Sequence, residues 1–279
     1  MISSISNPAM SLLRSATAEA LHCLGRTPLE DQVVHTARKA LKRARAALRL
    51  LRPVIAEEKY RAANLALRNA GRHLSPLRDA RILLDALDCL AESIEDAKTL
   101  GAIADLKKLM RARLSKAHRA MLDPDARRHC SDLIKAGRLR LRGKMLHPDP
   151  AALLPGLQQI YRNARKAFLQ ARATKTPEDL HEWRKQVKYL RTAAAVLRTS
   201  KNSRLRRAEK SADDIAAWLG DDHDLAVLDE LTREHESPIA AKRLTGLIGT
   251  RRTKLQHKAI SAGEKLFART PERFLRDVS

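Results

Sequence analysis

A repeated pattern of basic residues at helical spacing constrains this chain more than any other feature of its sequence. Shifting the sequence by 146 positions superposes seven residues without a gap. The shared pattern is His-x-x-Arg-Lys-x-x-Lys-x-x-Arg followed by Leu-Arg, and its two copies begin at His35 and His181. Internal similarity at this distance predicts two related units, 1–145 and 146–279, that form one domain together. We place the junction between them near Gly143 to Pro150.

A second shared pattern follows each copy of the first. A shift of 145 positions superposes Leu74-x-x-x-Arg78-Asp79 on Leu219-x-x-x-His223-Asp224, and a Leu-rich stretch follows in both halves. We interpret this pattern as a turn that leads into a helix. The sequence therefore predicts a break between two helices, 202–218 and 222–235, in the second half.

The composition favours helices along the whole chain. The aromatic share is 3%, and there are only 10 Gly and 11 Pro among 279 residues. Because 44% of the residues are apolar, we predict an all-α protein with a buried core. Five residues that precede a proline are predicted helix N-termini: Asn7, Ser75, Asp123, Thr176 and Thr270. The predicted helices are 8–24, 29–52, 54–71, 76–96, 99–122, 125–140, 151–173, 178–199, 202–218, 222–235, 238–268 and 271–277.

The cysteines and the apolar runs bear on the compartment of the protein. Cys23, Cys89 and Cys130 are odd in number and widely spaced, which fits neither a disulfide framework nor a short-spaced metal site. No apolar run approaches the ~18 residues of a membrane span, and Met1 to Ser11 lacks the features of a secretory signal. These observations predict a cytoplasmic protein with no membrane partner.

Each copy of the repeat contains a row of basic residues on one helix face. Spacings of three and four residues define the first basic row as His35, Arg38, Lys42, Arg45, Arg49 and Arg52. The second basic row consists of His181, Arg184, Lys188, Arg191 and Arg198, and Ala195 interrupts it. An apolar stripe runs one position earlier in each copy, so each helix should pack on its neighbours through one face and present cations beside it.

Acidic residues are absent from both rows. Between Gln32 and Ala56 there are seven Lys and Arg and no acid, and from Trp183 to Ala208 there are nine and none. An exposed helix usually interleaves acids, because an opposite-charge pair stabilises it by ~0.2–0.5 kcal/mol and a like-charge pair costs about as much. A solvated surface is therefore the weaker interpretation, and the rows predict an anionic ligand.

The length and composition of the rows indicate what kind of anion binds. The first row spans about 25 Å at the rise of an α-helix, so an extended polyanion fits better than a single phosphate. Single-strand nucleic-acid binders need aromatic platforms, and none of the eight aromatic residues of this chain is a member of either row. Neither row contains the Asn or Gln that duplex readers place beside Arg. A polymer of phosphates without bases explains these absences best.

The two patterns resemble the CHAD family, the conserved-histidine α-helical domains. The resemblance rests on the duplicated His-x-x-Arg-Lys-x-x-Lys-x-x-Arg motif and on Leu-Gly-x-x-His-Asp-Leu from Leu219 to Leu225. Also similar is the approach to the second copy, Tyr-Arg-x-x-Arg-Lys-Ala-Phe from Tyr161, followed by Thr176-Pro177. The first half departs from the family pattern, since Ser75 stands where the family often has Gly, and the second half has His223 where Arg is usual.

The resemblance implies two helical bundles that are related by a pseudo-twofold axis and enclose a basic central channel. It implies non-catalytic binding of inorganic polyphosphate, with no cofactor and no metal, and an association with polyphosphate granules in the cytoplasm. The phosphate-binding residues that the rows and the resemblance predict are His35, Arg38, Lys39, Lys42, Arg45, Arg49, Arg78, Arg162, Arg165, His181, Arg184, Lys185, Lys188, Arg191 and His223. For His35 and His181, a structural role in place of ligand contact stays open.

Two alternative functions remain. His181, His223, Asp224 and Asp229 are similar to the ligand set of all-α HD-type phosphohydrolases, in which a divalent metal activates water. Against this interpretation, the repeat equivalent of His223 is Arg78, and arginine does not ligate metals. The second alternative is a nucleic-acid-binding protein, which would bind DNA and polyphosphate with similar affinity at matched salt.

Overall fold

The computed structural model describes residues 7–26, 31–92, 94–141, 150–199, 202–235 and 238–278, and every regular element in these ranges is helical. The predicted all-α class is confirmed. Two short 3-10 segments, Arg52–Val54 and Pro150–Leu153, accompany the α-helices. The helices are α1 (Pro8–Gly25), α2 (Asp31–Leu50), α3 (Glu57–His73), α4 (Ser75–Ala91), α5 (Ala97–Leu122), α6 (Pro124–Leu139), α7 (Leu154–Thr174), α8 (Pro177–Leu197), α9 (Ser203–His235), α10 (Pro238–Leu266) and α11 (Pro271–Val278).

Side-chain caps fix several of the predicted helix starts. The Asn7 side chain accepts hydrogen bonds from the backbone N–H groups of the first turn of α1, and Asp123 and Thr176 do the same for α6 and α8. In each case a proline stands at the first helical position, where its missing N–H costs nothing. Ser75 is the exception, because α4 begins at Ser75 itself and its N-cap residue, Leu74, makes no side-chain cap.

Two hydrophobic cores organise the helices. The larger core draws on α1, α2, α3 and α6 together with α7, α8 and α11, and also on the N-terminal half of α9 and the C-terminal half of α10. It buries Tyr161 and Trp183 completely. The smaller core is formed by α4, α5, the C-terminal half of α9 and the N-terminal half of α10. Since α9 and α10 contribute residues to both cores, they connect the two cores.

The helices that carry the basic rows lie at the centre of the larger core. α2 packs against α8 and also against α7. The contact with α7 is close: a Cβ atom on Gly156 would lie 2.3 Å from the carbonyl oxygen of Leu50. A glycine is therefore required where these two backbones meet.

α9 contradicts the predicted break in the second half. The helix is continuous from Ser203 to His235, so the segment that begins at Leu219 is helical and not a turn. Gly220, which belongs to the predicted turn, sits beside the guanidinium of Arg184, where a side chain would collide with it. The equivalent segment of the first half does contain a break, with Leu74 between α3 and α4.

Two further predictions concern the junction between the two units and membrane-spanning segments. The predicted junction from Gly143 to Pro150 lies outside the described residues except for Pro150. In the described part of the chain, no helix is both long enough and apolar enough to cross a bilayer.

Candidate functional site

Arg38 of the first basic row ties α2 to the junction of α3 and α4. Its Nη1 donates hydrogen bonds to the carbonyl oxygen of Gly71 at 2.9 Å and to Oγ of Ser75 at 2.6 Å. Its Nη2 lies 4.0 Å from a carboxylate oxygen of Asp79. Arg38 is only 9% exposed, so the position of its guanidinium is fixed by the fold.

The next arginines of the first row are held by uncharged groups. Arg45 donates from Nε to the side-chain oxygen of Asn64 at 3.1 Å. Arg49 donates to the hydroxyl of Tyr60 at 3.1 Å and to that of Tyr189 at 3.4 Å, and it lies 4.2 Å from the centroid of the Tyr189 ring. Burial lowers the pKa of Arg45, but an arginine keeps its proton in a protein. Both positive charges are therefore fixed in place without a carboxylate among these partners.

The remaining members of the first row differ in exposure. Lys42 is exposed, and His35 is half-buried at the N-terminal end of the row. Lys39, off the row, is also exposed. Arg52 forms a bidentate ion pair with Glu57, at 2.9 and 2.7 Å, so this end of the row is neutralised within the protein. The side chain of Arg78 lies outside the described part of the structure.

The second basic row faces α9. Arg184 donates from Nε to the carbonyl oxygen of Ala216 at 3.4 Å. Its guanidinium lies so close to α9 that a Cβ atom on Gly220 would be 2.8 Å from Nη2. Arg191 pairs with Asp213, also on α9, and Lys188 is half-buried beside it. Lys185, off the row, is exposed and pairs with Glu182.

The two halves place one arginine in equivalent surroundings. Under the register shift of 145, Gly71 corresponds to Ala216 and Ser75 corresponds to Gly220. Arg38 therefore contacts the same two positions of the first half that Arg184 contacts in the second. A serine hydroxyl accepts a hydrogen bond from the first arginine, whereas the glycine leaves room for the second.

Two histidines meet where the second row begins. The ring centroids of His181 and His223 are 4.3 Å apart, with the ring planes tilted by 48°. Loss of water around the ring, followed by the positive charges of His223, Arg184 and Lys185, lowers the pKa of His181 to about 4. His181 is thus neutral at pH 7, and an anion beside it would favour its protonated form.

Acidic groups lie on the same stretch of α9. Loss of water and the neighbouring charge of Asp224 raise the pKa of Asp221. Asp222 is buried and accepts hydrogen bonds from Arg252 and Gln256 of α10, at 3.0 and 2.9 Å. Asp222 therefore joins α9 to α10, while Asp221 lies on the stretch that carries His223.

The structure places Arg162 and Arg165 away from the second row. Both lie on α7 and line a cleft between α7, α8 and the start of α11. On the α8 side this cleft is lined by Glu182 and Gln186, and by none of the α8 row residues. Gln186 lies roughly 160° around the helix from Lys188, so the cleft and the row occupy opposite flanks of α8.

Sequence reasoning missed the residues that hold the rows in place. Asn64, Tyr60 and Tyr189 fix Arg45 and Arg49, and Gly220 makes room for Arg184. Tyr189 follows Lys188 directly, but the periodicity of α8 does not indicate that it reaches α2. The equivalence of Ser75 and Gly220 in the repeat was the one available signal for the arginine contact.

The metal-ligand set of the phosphohydrolase alternative is not assembled. Among the residues that the structure describes, no group of three or more His, Cys, Asp or Glu side chains is placed to hold a metal ion. Asp229, the last member of the set, accepts a hydrogen bond at 2.8 Å from Arg233, one helical turn further along α9.

Comparison with known proteins relates the chain to one family. The family model described as CHAD domain matches residues 12–233. The crystal structure of the CHAD domain from the plant Ricinus communis is similar, with a TM-score of 0.63 and 19% identity over 96% of this chain and 92% of that one. PptA from Streptomyces chartreusis is similar with a TM-score of 0.59 and 17% identity, over 94% of this chain and 96% of that one. At these identities the two structures establish a shared fold. No curated protein matches the chain.

Proposed function

Because the chain belongs to the CHAD domain family, we propose that it binds inorganic polyphosphate along its two basic rows and does so without catalysis. The observation that carries this proposal is the way two arginines of the first row are held. Arg45 is positioned by the amide of Asn64, and Arg49 by the phenol groups of Tyr60 and Tyr189. Neutral acceptors fix the direction of a guanidinium and leave its charge available to an anion, whereas a carboxylate would cancel that charge.

The exposed lysines supply the second part of the binding surface. Lys42 in the first row and Lys39 beside it are both exposed. A flexible ammonium group adapts to successive phosphates of a polymer, while the fixed arginines supply directed hydrogen bonds. Together they suit a linear chain of phosphates better than one compact anion.

One polymer can contact both rows. α2 packs against α8, and Arg49 contacts Tyr189 across that interface. We propose that the rows approach each other where the two helices meet and that the basic channel implied by the family lies along this approach. In this proposal the polymer enters beside Lys42 and continues towards the second row.

The absence of catalysis is part of the proposal. Hydrolysis of phosphate chains by the HD-type mechanism needs four metal ligands in one place. In the described structure, Asp229 accepts a hydrogen bond from Arg233, and no group of three or more His, Cys, Asp or Glu side chains is placed to hold a metal ion. Phosphate release from polyphosphate that is lost in an Asp224→Asn variant would contradict the proposal and support the phosphohydrolase.

Charge reversal at repeat-equivalent positions tests the proposal. Lys42→Glu combined with Lys188→Glu places a carboxylate in each row, so affinity for long-chain polyphosphate should fall at least tenfold in a titration at fixed salt. The matched control is Lys108→Glu with Lys116→Glu, two exposed positions on α5 that give the same change in net charge. Circular dichroism checks that both variants stay helical.

The control separates specific from general electrostatic binding. An equal loss in both variants would mean that overall charge, and not the rows, attracts the polymer. Competition with double-stranded DNA at matched salt addresses the other alternative, since equal affinities for DNA and polyphosphate would favour a nucleic-acid-binding protein.

A further inference from the structure

A cleft on the flank of α8 opposite the second row has a charge of its own. It lies between α7, α8 and the start of α11 and has a volume of about 800 Å³. Arg162, Arg165 and Lys166 line it from one turn of α7. The acid on its wall, Glu182, already accepts hydrogen bonds from Lys185 and Gln186 of its own helix. The cleft is therefore cationic, with its single carboxylate engaged elsewhere.

The two arginines of the cleft are anchored through part of their donor groups. Arg162 donates to Gln159 at 3.0 Å and forms an ion pair with Glu272 at 3.1 Å. Arg165 is half-buried and donates from Nε to the carbonyl oxygen of Phe267 at 3.1 Å. A guanidinium has five N–H donors, so each arginine is held in position and keeps further donors for a ligand.

The third cation makes no such internal contact. Lys166 is exposed and forms no hydrogen bond or ion pair with any residue that the structure describes. It stands next to Arg165 in the sequence and one turn from Arg162, so the three cationic positions lie on one side of α7, where they line the cleft. Their positions span about 6 Å along α7, compared with about 25 Å for the first basic row.

We propose that this cleft is a second anion site that takes a compact polyvalent phosphate, such as pyrophosphate or tripolyphosphate. Three cationic side chains within about one helical turn, of which Arg162 is paired with Glu272, match the size of a short oligophosphate and leave the rest of a long polymer without partners. No aromatic side chain lines the cleft in the described structure, so a nucleobase has no stacking surface. Amides of Asn163 and Gln186 supply neutral donors at its edges.

The proposal goes beyond polyphosphate binding by the rows and does not depend on it. Arg162 and Arg165 belong to the residues that the sequence assigns to polyphosphate, and the structure places them in this separate cleft. A short phosphate in the cleft can come from two sources, a free oligophosphate or the end of a polymer that is bound to the rows. We assign the site to the free anion.

Calorimetric titration of the full chain with tripolyphosphate tests the site. The test variant is Arg162→Gln with Lys166→Gln, and the control is Arg172→Gln with Lys175→Gln, which removes the same charges at exposed positions at the C-terminal end of α7, outside the cleft. We expect saturable binding of one tripolyphosphate, a loss of affinity of at least tenfold in the test variant, and no change in the control. The variant Lys42→Glu with Lys188→Glu should keep wild-type affinity for tripolyphosphate.

Each opposite result would overturn the proposal. Loss of tripolyphosphate binding in the row variant would place the short anion on the rows, and failure to saturate would mean that there is no defined site. Long polymer added to the row variant tests the source of the phosphate. If it displaces tripolyphosphate at equal phosphate concentration, the chain end is the occupant and the assignment to a free anion is wrong.

Discussion

Arg184 and Gly220 show how a single position can make room for a neighbouring arginine at the expense of its own helix. A glycine in a helix interior is less stable than alanine by ~0.5–1 kcal/mol, and Gly220 stands in the middle of α9. The guanidinium of Arg184 occupies the space that a Cβ atom would need, at 2.8 Å from Nη2. The glycine therefore gives up helix stability and allows the arginine to lie flat against α9.

Gly220→Ala should separate stability from binding. The methyl group meets only the end of a flexible side chain, so Arg184 moves aside and α9 gains up to ~1 kcal/mol of helix propensity. We expect an unchanged or higher melting temperature together with a several-fold loss of polyphosphate affinity, equivalent to about 1 kcal/mol for one weakened charge-assisted contact. Thermal unfolding and a binding titration on the same preparation measure both effects.

The control for this variant lies on α10. A Cβ atom on Gly249 meets nothing within 4 Å, so Gly249→Ala should stabilise its helix and leave the affinity unaltered. If Gly220→Ala bound polyphosphate as well as Gly249→Ala does, the position of Arg184 would be irrelevant to the ligand.

The lowered pKa of His181 predicts a definite direction of pH dependence. In the free folded protein this pKa is about 4, compared with an ordinary value of 6.5. Between pH 6.5 and pH 4 the unfolded chain therefore binds a proton that the folded state does not, and the folded state loses stability as the pH falls. A bound polyanion should raise the pKa of His181, because a negative charge beside the ring favours its protonated form. Affinity for polyphosphate should therefore increase as the pH falls from 7.5 to 5.5.

His181→Gln should flatten this dependence, and titrations at constant ionic strength across the same pH range measure it. His257→Gln, on an exposed histidine of α10, should retain the slope of the wild type. A slope that persists in His181→Gln would assign the proton uptake to another group and would place His181 outside the binding surface.

The helices differ in how far the sequence determines them. The apolar stripe of α2 is buried as predicted, and no residue of it from Val34 to Leu51 is more than 1% exposed. Caps at Asn7, Asp123 and Thr176 begin their helices as predicted. These features are local, since the spacing within one helix and the chemistry of one turn are enough to specify them.

The features that the sequence did not predict depend on contacts between helices. Gly220 is typical of a helix break when it is considered alone, and only the guanidinium of Arg184 explains a glycine within α9. In the same way, the periodicity of α2 identifies the face that carries Arg49, but not that Tyr189, 140 residues away, meets it. The separation of Arg162 and Arg165 from the rows likewise follows from the packing of α7 on α8 and not from any spacing.

The contact between α2 and α7 predicts a strong response to one methyl group. In Gly156→Ala the new Cβ would meet the Leu50 carbonyl oxygen at 2.3 Å, which is backbone and does not move aside. Overpacking of this kind typically costs about 1–3 kcal/mol, more than alanine contributes through helix propensity. We expect a clearly lower melting temperature, whereas Gly101→Ala, which faces open space on α5, should raise it slightly. Equal melting temperatures would mean that α2 and α7 are further apart than described.

Charge repulsion acts on the chain as a whole. The net charge of +23 is spread over a single fold in which α9 and α10 pass through both hydrophobic cores. Loss of packing in one core therefore affects the other core through these two continuous helices. Neutralising the rows with a polyanion should consequently stabilise the complete fold in one cooperative transition.

Salt should act on the free protein and on the complex with opposite signs. In the free protein, NaCl screens the repulsion between like charges, so the melting temperature should rise with salt. In the complex, binding releases condensed counterions, and added salt should weaken it steeply, as it does for DNA ligands. Saturating polyphosphate at 100 times its dissociation constant stabilises the fold by ~2.7 kcal/mol, which corresponds to a shift of roughly 5–10 °C at low salt. Melting curves with and without long-chain polyphosphate across a NaCl series should therefore converge as salt increases. Parallel curves would mean that the polymer binds through contacts other than the charges of the rows.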